Sequence, residues 1–323
     1  MNVLIIIDRI ELKYFEFNDL VTNFWLIKGL LEKGVNVDIA TIDNLNLTNG
    51  KAYVNRRKSY LENNNIFYEK ELSLKEIETY DLVMFRPDPP VDLDYINATY
   101  VFDFVDTNKT KIINSPQAIR NFNEKLHAVK FSHLMPENIV TSSPKDILDF
   151  LNKHDHIVLK PLNACFGSGV MLLKKGENNT NVIINSLTQN GTKMIMVQKY
   201  IEKAKFGDKR VLFLNGKVLD ECILKLPGEN DFKFNDHSDK SFAHATLSKE
   251  EKENFTPLAK ELNEMGLSMV GLDVIDGQII EINVTSPCYF IREINQHLNI
   301  NFEKTLIDYL MSFNTPILTL TLS

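Results

Sequence analysis

The sequence predicts an α/β protein from three observations: a β-α-β order at the amino end, apolar runs that stop at proline or a charge, and a second half mixing helices with β-hairpins. "NVLIIID" (residues 2–8) is a short β-branched run ending at a charge, the pattern of a strand buried on both faces. "NDLVTNFWLIKGLLEKG" (18–34) has helical spacing, with Asn18 or Asp19 as N-cap and Gly34 as its end. "VNVDIATI" (35–42) is the next strand, and strands joined through a helix lie parallel. "YDLVMFRPDPP" (80–90) is a buried strand stopped by prolines and "TKIINSP" (110–116) another, with helical spacing in "DLDYINATYVFDFVDTN" (92–108) between them. Residues 1–122 are therefore expected to form an α/β domain with ligand groups at the carboxyl ends of its strands, where Arg86 falls.

From "SPQAIRNFNEKLHAVKF" (115–131), expected as a helix, the pattern turns to an α+β layer. "SPKDILDFLNKHD" (143–155) is a helix opened by Ser143 and Pro144, and "HIVLKPL" (156–162) is a strand running into "NACFGSGV" (163–170). "TKMIMVQKYI" (192–201), "KRVLFLNGKVLDECILKL" (209–226) and "SMVGLDVIDGQIIEINV" (268–284) are strands and hairpins; Asn215-Gly216 and Asp276-Gly277 are strong hairpin turns. "PGENDFKFNDHSDKSFAHA" (227–245) is polar and without pattern, as in a lid.

Composition excludes several classes. With 36 Lys and Arg against 43 Asp and Glu, the net charge of −7 argues against a nucleic-acid footprint. Three scattered cysteines give neither a disulfide framework nor a metal motif, which fits a reducing cytosol. The first apolar run is too short for a signal peptide, and no run of about 18 apolar residues is present to span a membrane.

The chemistry concentrates at a few positions. Asp273 and Glu281 flank the second hairpin turn, so cross-strand pairing can bring them together, and Glu281 and Asn283 share a face. Two carboxylates and an amide oxygen suit Mg²⁺, whose shell is usually completed by water and phosphates; the alternative is a hairpin with a wet polar face. Lys160 precedes a turn containing Gly167, Ser168 and Gly169, where backbone N–H groups and a point charge can meet phosphates, although a lone Gly-x-Gly also makes an ordinary turn. Lys125 is a second phosphate candidate whose ordinary alternative is an exposed helical lysine. Gln198 ends a strand whose backbone can read an adenine edge. Asp208 suits a ribose hydroxyl, and Arg210 a phosphate or carboxylate.

In order, these residues resemble the ATP-grasp ligases and, within them, the bacterial glutathione synthetases. The resemblance is nearly collinear from residue 2 to about 293 and includes "RPDPP", "INATYVFD", "INSPQAIRNFNEKL", "ENIVTSS", "VLKPL", "GDKRVLFLNGKV" and "GLDVIDGQIIEINVTSP". It implies a Rossmann-like (pre-ATP-grasp) domain over 1–122, then an α+β ATP-grasp domain of two subdomains: a central one over 123–200 with the phosphate loop, and a C-terminal one over 201–323 with the metal site and lid. It implies ATP and Mg²⁺, with Mn²⁺ as an alternative ion, and phosphoryl transfer to the carboxylate of γ-glutamylcysteine followed by attack of glycine. A cytoplasmic homo-oligomer, up to a homotetramer, is also implied.

Residue by residue, the resemblance assigns ATP phosphates to Lys125, Lys160 and the Gly167–Ser168–Gly169 turn, the adenine pocket to Gln198, Lys199, Tyr200 and Ile201, and the ribose side to Asp208. It assigns Mg²⁺ to Asp273, Glu281 and Asn283. Arg210, Lys225 and Arg292 are the expected catalytic positions, while Arg86, Ser286 and Arg292 face the dipeptide. Departures gather near the lid. Lys225 stands where the family has arginine, and the family's glycine-rich stretch is replaced over 227–245, with only Asn235 as a surviving match. Asn163, Cys165 and Phe166 alter the phosphate loop, and one extra residue precedes Arg292; Cys288 is expected to be a bystander. Two alternatives follow: a lid remodelled for another acyl or amine substrate, or a non-catalytic nucleotide-binding module.

Overall fold

The computed structural model describes residues 1–9, 19–165, 167–228 and 241–314. They group into two compact units, one of Met1–Asp88, Leu93–Ala118 and Cys288 onward, the other of Pro89–Asp92 and Ile119–Pro287.

The first unit begins with β1 (Asn2–Ile6), α1 (Thr22–Glu32) and β2 (Asn36–Ala40), and β1 pairs parallel with β2 as the β-α-β order requires. Val21 occupies the N-cap without a side-chain bond, so Asp19 does not cap α1. Asp19 instead accepts the Trp25 indole N–H through its backbone oxygen at 2.7 Å, and Asn18 lies outside the described residues. Gly34 does end the helix, at φ +74°. Next comes a stretch the sequence reading leaves unassigned: β3 (Leu45–Thr48), β4 (Lys51–Glu62), β5 (Asn65–Tyr68) and β6 (Ser73–Glu76), all antiparallel around β4.

After it, β7 (Leu82–Phe85), α2 (Leu93–Val101) and β8 (Lys111–Ile113) restore the parallel pattern. The main path of the sheet runs β3-β4-β2-β1-β7-β8. The chain leaves β1 toward β2 and later returns to its other side at β7, so the carboxyl ends of β1 and β7 form the topological switch point. Arg86, the residue after β7, donates its backbone N–H to Ile6 there.

The expected helix over 115–131 is broken. Only α3 (Pro116–Arg120) is helical, and a tight 3₁₀ segment over His127–Leu134 follows, with Phe131 off helical geometry at φ −106°, ψ 35°. Between them Asn123 turns the chain: its Oδ1 accepts from the backbone N–H of Lys125 and Leu126, an Asx turn that competes with helix.

The second unit holds two sheets. β9 (Asn138–Thr141), α4 (Pro144–His154), β10 (His156–Pro161), β11 (Met171–Lys174), α5 (Thr180–Leu187) and β12 (Ile195–Lys199) make a four-stranded antiparallel sheet in the order β11-β10-β12-β9. Ser143 caps α4 as expected. Its core joins Ile147, Phe150 and Leu151 of α4 with Ile157, Leu159, Ile195 and Val197.

β13 (Asp208–Leu214), β14 (Lys217–Val218), β15 (Cys222–Lys225), β16 (Phe242–Ala245), α6 (Lys249–Glu264), β17 (Met269–Ile275) and β18 (Gln278–Asn283) form the other sheet, with main path β16-β15-β13-β17-β18. Both hairpin turns are as expected, with φ +50° and +73° at Asn215-Gly216 and +52° and +73° at Asp276-Gly277. The expected structureless loop over 227–245 is too long at its end. Phe242–Ala245 is a strand, because Cys222–Lys225 offers it an open edge; residues 229–240, Asn235 among them, lie outside the described residues.

The chain then returns to the first unit with α7 (Ile291–Leu298) and α8 (Glu303–Met311), residues that the sequence boundaries keep with the metal-bearing subdomain. Gly29 on α1 admits α8, since a Cβ there would stand 2.6 Å from Ile307 Cγ1. Among the described residues no helix is long and apolar enough to cross a membrane.

Candidate functional site

Side chains alternate across a strand, so register alone decides which residues meet. Asp208 and Arg210 are two apart on β13 and share a face. Lys225 lies opposite Asp208, Asp273 opposite Arg210, and Glu281 opposite Asp273. Asn283, two residues beyond Glu281, falls on the same face. Six residues from four strands therefore gather on one side of the sheet, while Lys209 on the other side binds Glu251 of α6 at 2.7 Å.

Contacts tie this face together. Arg210 forks between two carboxylates, Nη2 at 2.6 Å from Asp208 Oδ2 and Nη1 on Asp273 Oδ1. Asn283 Nδ2 donates to the same Asp273 oxygen at 3.0 Å, and the Val274 N–H donates to Asp208 at 3.1 Å. Lys225, nearly buried, lies opposite Phe242, with Nζ 5.8 Å from that ring.

Lys125 and Lys160 reach the same place. Lys125 is no exposed helical lysine: it is 4 % exposed, in a turn, and its Nζ donates to Glu281 Oε1 at 2.6 Å and to the Ala164 carbonyl at 2.7 Å. In β10, Ile157 and Leu159 face the α4 core, so Lys160 takes the opposite face, where its Nζ donates to the Ile280 carbonyl at 3.1 Å. By the same alternation Gln198 on β12 turns away from the core that holds Val197, and its Nε2 is buried with no hydrogen-bond partner among the described residues.

Burial and charge compete throughout. Burial pushes the Lys160 ammonium down to about 8 and the Asp208 carboxyl up to about 8, the latter against the opposing pull of Arg210. Burial also disfavours charge on Lys125 and Glu281, yet each holds the other in its charged form, with Lys125 raised and Glu281 lowered. Asp273 is raised by burial despite Arg210.

Other expected residues have simpler surroundings. Gly167 and Gly169 both sit at positive φ, +68° and +69°, in a turn where Ser168 N–H donates to the Cys165 carbonyl at 3.0 Å. Lys199 is exposed, and Tyr200 N–H donates to the His156 carbonyl. Ile201 and Ser286 are half-buried. Arg86 and Arg292 belong to the first unit. There Arg86 Nε donates to Asn23 Oδ1 at 2.5 Å, and Arg292 contacts Glu293 at 3.0 Å and Asp19 at 3.6 Å. Cys288 packs within 4.0 Å of Thr22 Oγ1.

Sequence reasoning missed Asn123 and Glu124. Asn123 forms the Asx turn that presents Lys125, and its Nδ2 donates to the Leu162 carbonyl at 3.1 Å. The only sequence signal was an asparagine two residues before the lysine. A cavity of about 670 Å³, lined by Lys209, Leu224 and Val274 among others, holds none of the expected site residues.

The donor set fits a magnesium ion. Among the described residues no group of three or more His, Cys, Asp or Glu is placed to hold a metal ion by itself. Two carboxylates with the Asn283 oxygen, flanked by buried lysines, match a hard cation that shares its shell with phosphates. The unpaired Gln198 donor likewise fits a nucleotide base.

Comparison with known proteins agrees. Residues 1–120 match the family described as prokaryotic glutathione synthetase, N-terminal domain, and residues 124–299 its ATP-grasp domain. The chain is similar to glutathione synthetase of Nostoc sp., at 41% identity over 69% of this chain and 68% of that one. It is similar to that of Escherichia coli strain K12 at 32% identity over 89% and 91%. Among solved structures, the D-cycloserine synthetase DcsG superposes with TM-score 0.67 at 13% identity over 97% of this chain and 99% of the other. D-alanyl-alanine synthetase A from Vibrio cholerae does so with TM-score 0.60 at 14% identity over 97% and 98%.

Proposed function

Because the chain belongs to the prokaryotic glutathione synthetase family, an ATP- and Mg²⁺-dependent group of C–N-forming ligases, we propose that it joins γ-glutamylcysteine to glycine and assign its residues their roles. The observation carrying this reading is the meeting of Lys125 and Lys160 with Asp273, Glu281 and Asn283 at one strand, β18.

In this reading a carboxylate oxygen of the dipeptide attacks the γ-phosphorus of ATP, ADP leaves, and the glycine amine then displaces phosphate from the acyl carbon. Phosphoryl transfer needs positioning and charge neutralisation more than a proton carrier. Lys125, Lys160 and the Gly167–Ser168–Gly169 turn hold the phosphates, and Gln198 to Ile201 line the adenine. Asp208 takes the ribose side. Asp273, Glu281 and Asn283 would hold Mg²⁺, which when bound neutralises phosphate charge. Arg210, Lys225 and Arg292 act on the acyl phosphate and substrate carboxylates, while Arg86 and Ser286 bind the dipeptide. Lys125 and Lys160, already desolvated, meet phosphate without giving up a full hydration shell.

The sequence division carries into this reading: an N-terminal domain over 1–122, a central subdomain over 123–200 around the four-stranded sheet, and a C-terminal subdomain from 201 around the six-stranded one. A homo-oligomer in the cytoplasm completes it. A second reading, a lid altered for another acyl or amine substrate, is favoured by Lys225, whose ammonium cannot make the two-pronged contact of an arginine.

The test is phosphate release from ATP with γ-glutamylcysteine while the amine is varied. Release with glycine alone is the expected result. Release only with another amine supports the altered lid, and tight ATP binding with no release overturns the ligase assignment.

A further inference from the structure

Among the described residues β18 is the last strand of its sheet, with only β17 beside it, so the N–H and C=O groups of Ile280, Ile282 and Val284 point out of an open edge. Two residues take up that edge. Lys160 binds the Ile280 carbonyl at 3.1 Å. Glu124 takes the N–H groups that follow: its backbone carbonyl accepts from Ile282 N–H at 3.2 Å, and its Oε1 accepts from Val284 N–H at 2.7 Å, Thr285 N–H at 3.0 Å and Thr285 Oγ1 at 2.9 Å. One residue thus stands in for a neighbouring strand.

The residues it holds alternate with Glu281 and Asn283. Fixing Ile282 and Val284 fixes the pleat, and the pleat sets the depth at which the two metal-facing side chains project. Glu124 is also the residue before Lys125, whose Nζ lies 2.6 Å from Glu281. A single turn therefore anchors the strand and delivers the cation that pairs with it.

We propose that Glu124 is a positioning residue of the magnesium site: it replaces the missing strand beside β18 and so holds Glu281 and Asn283 in register with Lys125. The inference rests on the metal assignment above. It depends on the reach of an oxygen acceptor and not on charge, which makes it separable from a general electrostatic role.

Two variants divide these possibilities. Glu124→Gln keeps an acceptor oxygen at the same distance and loses the charge, whereas Glu124→Asp keeps the charge and is one methylene too short to reach Val284 and Thr285 together. The readout is Mn²⁺ affinity in the presence of ADP, followed by water-proton relaxation, beside ADP affinity in EDTA. Glu124→Asp should weaken Mn²⁺ binding about tenfold, Glu124→Gln by less than about threefold, and neither should alter metal-free ADP binding appreciably. Equal losses in both variants, no loss in either, or a parallel loss of metal-free ADP binding would overturn the proposal. Should Glu124→Asp not fold, Thr285→Val, which removes one of the three bonds, must show a smaller loss of the same kind, and unchanged Mn²⁺ affinity overturns it. Wild-type protein that binds no Mn²⁺ would remove the metal assignment itself, a failure visible before any variant is compared.

Discussion

Lys125 Nζ lies 2.6 Å from Glu281 Oε1, an ion pair closed across 156 residues of chain with the lysine side chain 5% exposed and the carboxylate 20%. Removing one member of such a pair leaves the other charged in a dry place. Glu281→Gln is therefore expected to lower turnover at limiting Mg²⁺ by at least about tenfold, with the circular dichroism spectrum unchanged. An unaltered rate would take Glu281 out of the metal site.

Arg210 holds two carboxylates apart, Asp208 and Asp273. Arg210→Met should destabilise the protein by about 3 kcal/mol, the low end for breaking a buried ion pair, because Asp208 can take up a proton instead. Its carboxyl is already pushed up to about 8 by burial. A carboxyl raised in the folded state binds more protons there than when unfolded, so its stability contribution falls as pH rises from the ordinary carboxyl range toward 8. Removing Arg210 enlarges that effect. Urea melts should show a greater loss at pH 8 than at pH 5, and the reverse order would contradict the assigned direction.

Gly169 and Gly277 both adopt left-handed backbone, at φ +69° and +73°, but only Gly169 is crowded, since a Cβ there would lie 2.9 Å from Pro161 Cγ. Alanine at either position should cost roughly 1–2 kcal/mol for the backbone. Gly169→Ala should also displace the loop beside Lys160 and weaken ADP binding, whereas Gly277→Ala should leave binding as it is. Fluorescence titration of both variants checks this pairing.

Of the three thiols, Cys222 is 1 % exposed and burial pushes it up to about 11, while Cys165 and Cys288 are half-buried. The thiolate is the reacting species. At pH 8, Ellman's reagent should modify Cys222 last, and quickly only after unfolding.

Much of the molecule was legible in its sequence. The β-α-β opening, the Ser143 cap, both hairpin turns and the shared face of Glu281 and Asn283 follow from local rules: period-two alternation, capping chemistry and glycine at positive φ. The strands around β4 escaped because their patterning is weak and each is stabilised by its neighbours. The helix expected over 115–131 failed at Asn123, where a side chain outcompetes the backbone ladder.

The chain alone determined which residue types could do the chemistry and, through period-two alternation, that Glu281 and Asn283 share a face, but not that Asp273 meets Glu281. The two-residue turn by itself pairs Asp273 with Ile280, and a bulge beside Asp273 shifts its partner to Glu281. The chain did not determine that Lys125 is buried, that Arg210 wedges between two acids, or that Glu124 completes an open edge. Those depend on which strands become neighbours and at what register, and pairing energy between segments some 60 to 160 residues apart leaves no local trace until the whole sheet has formed.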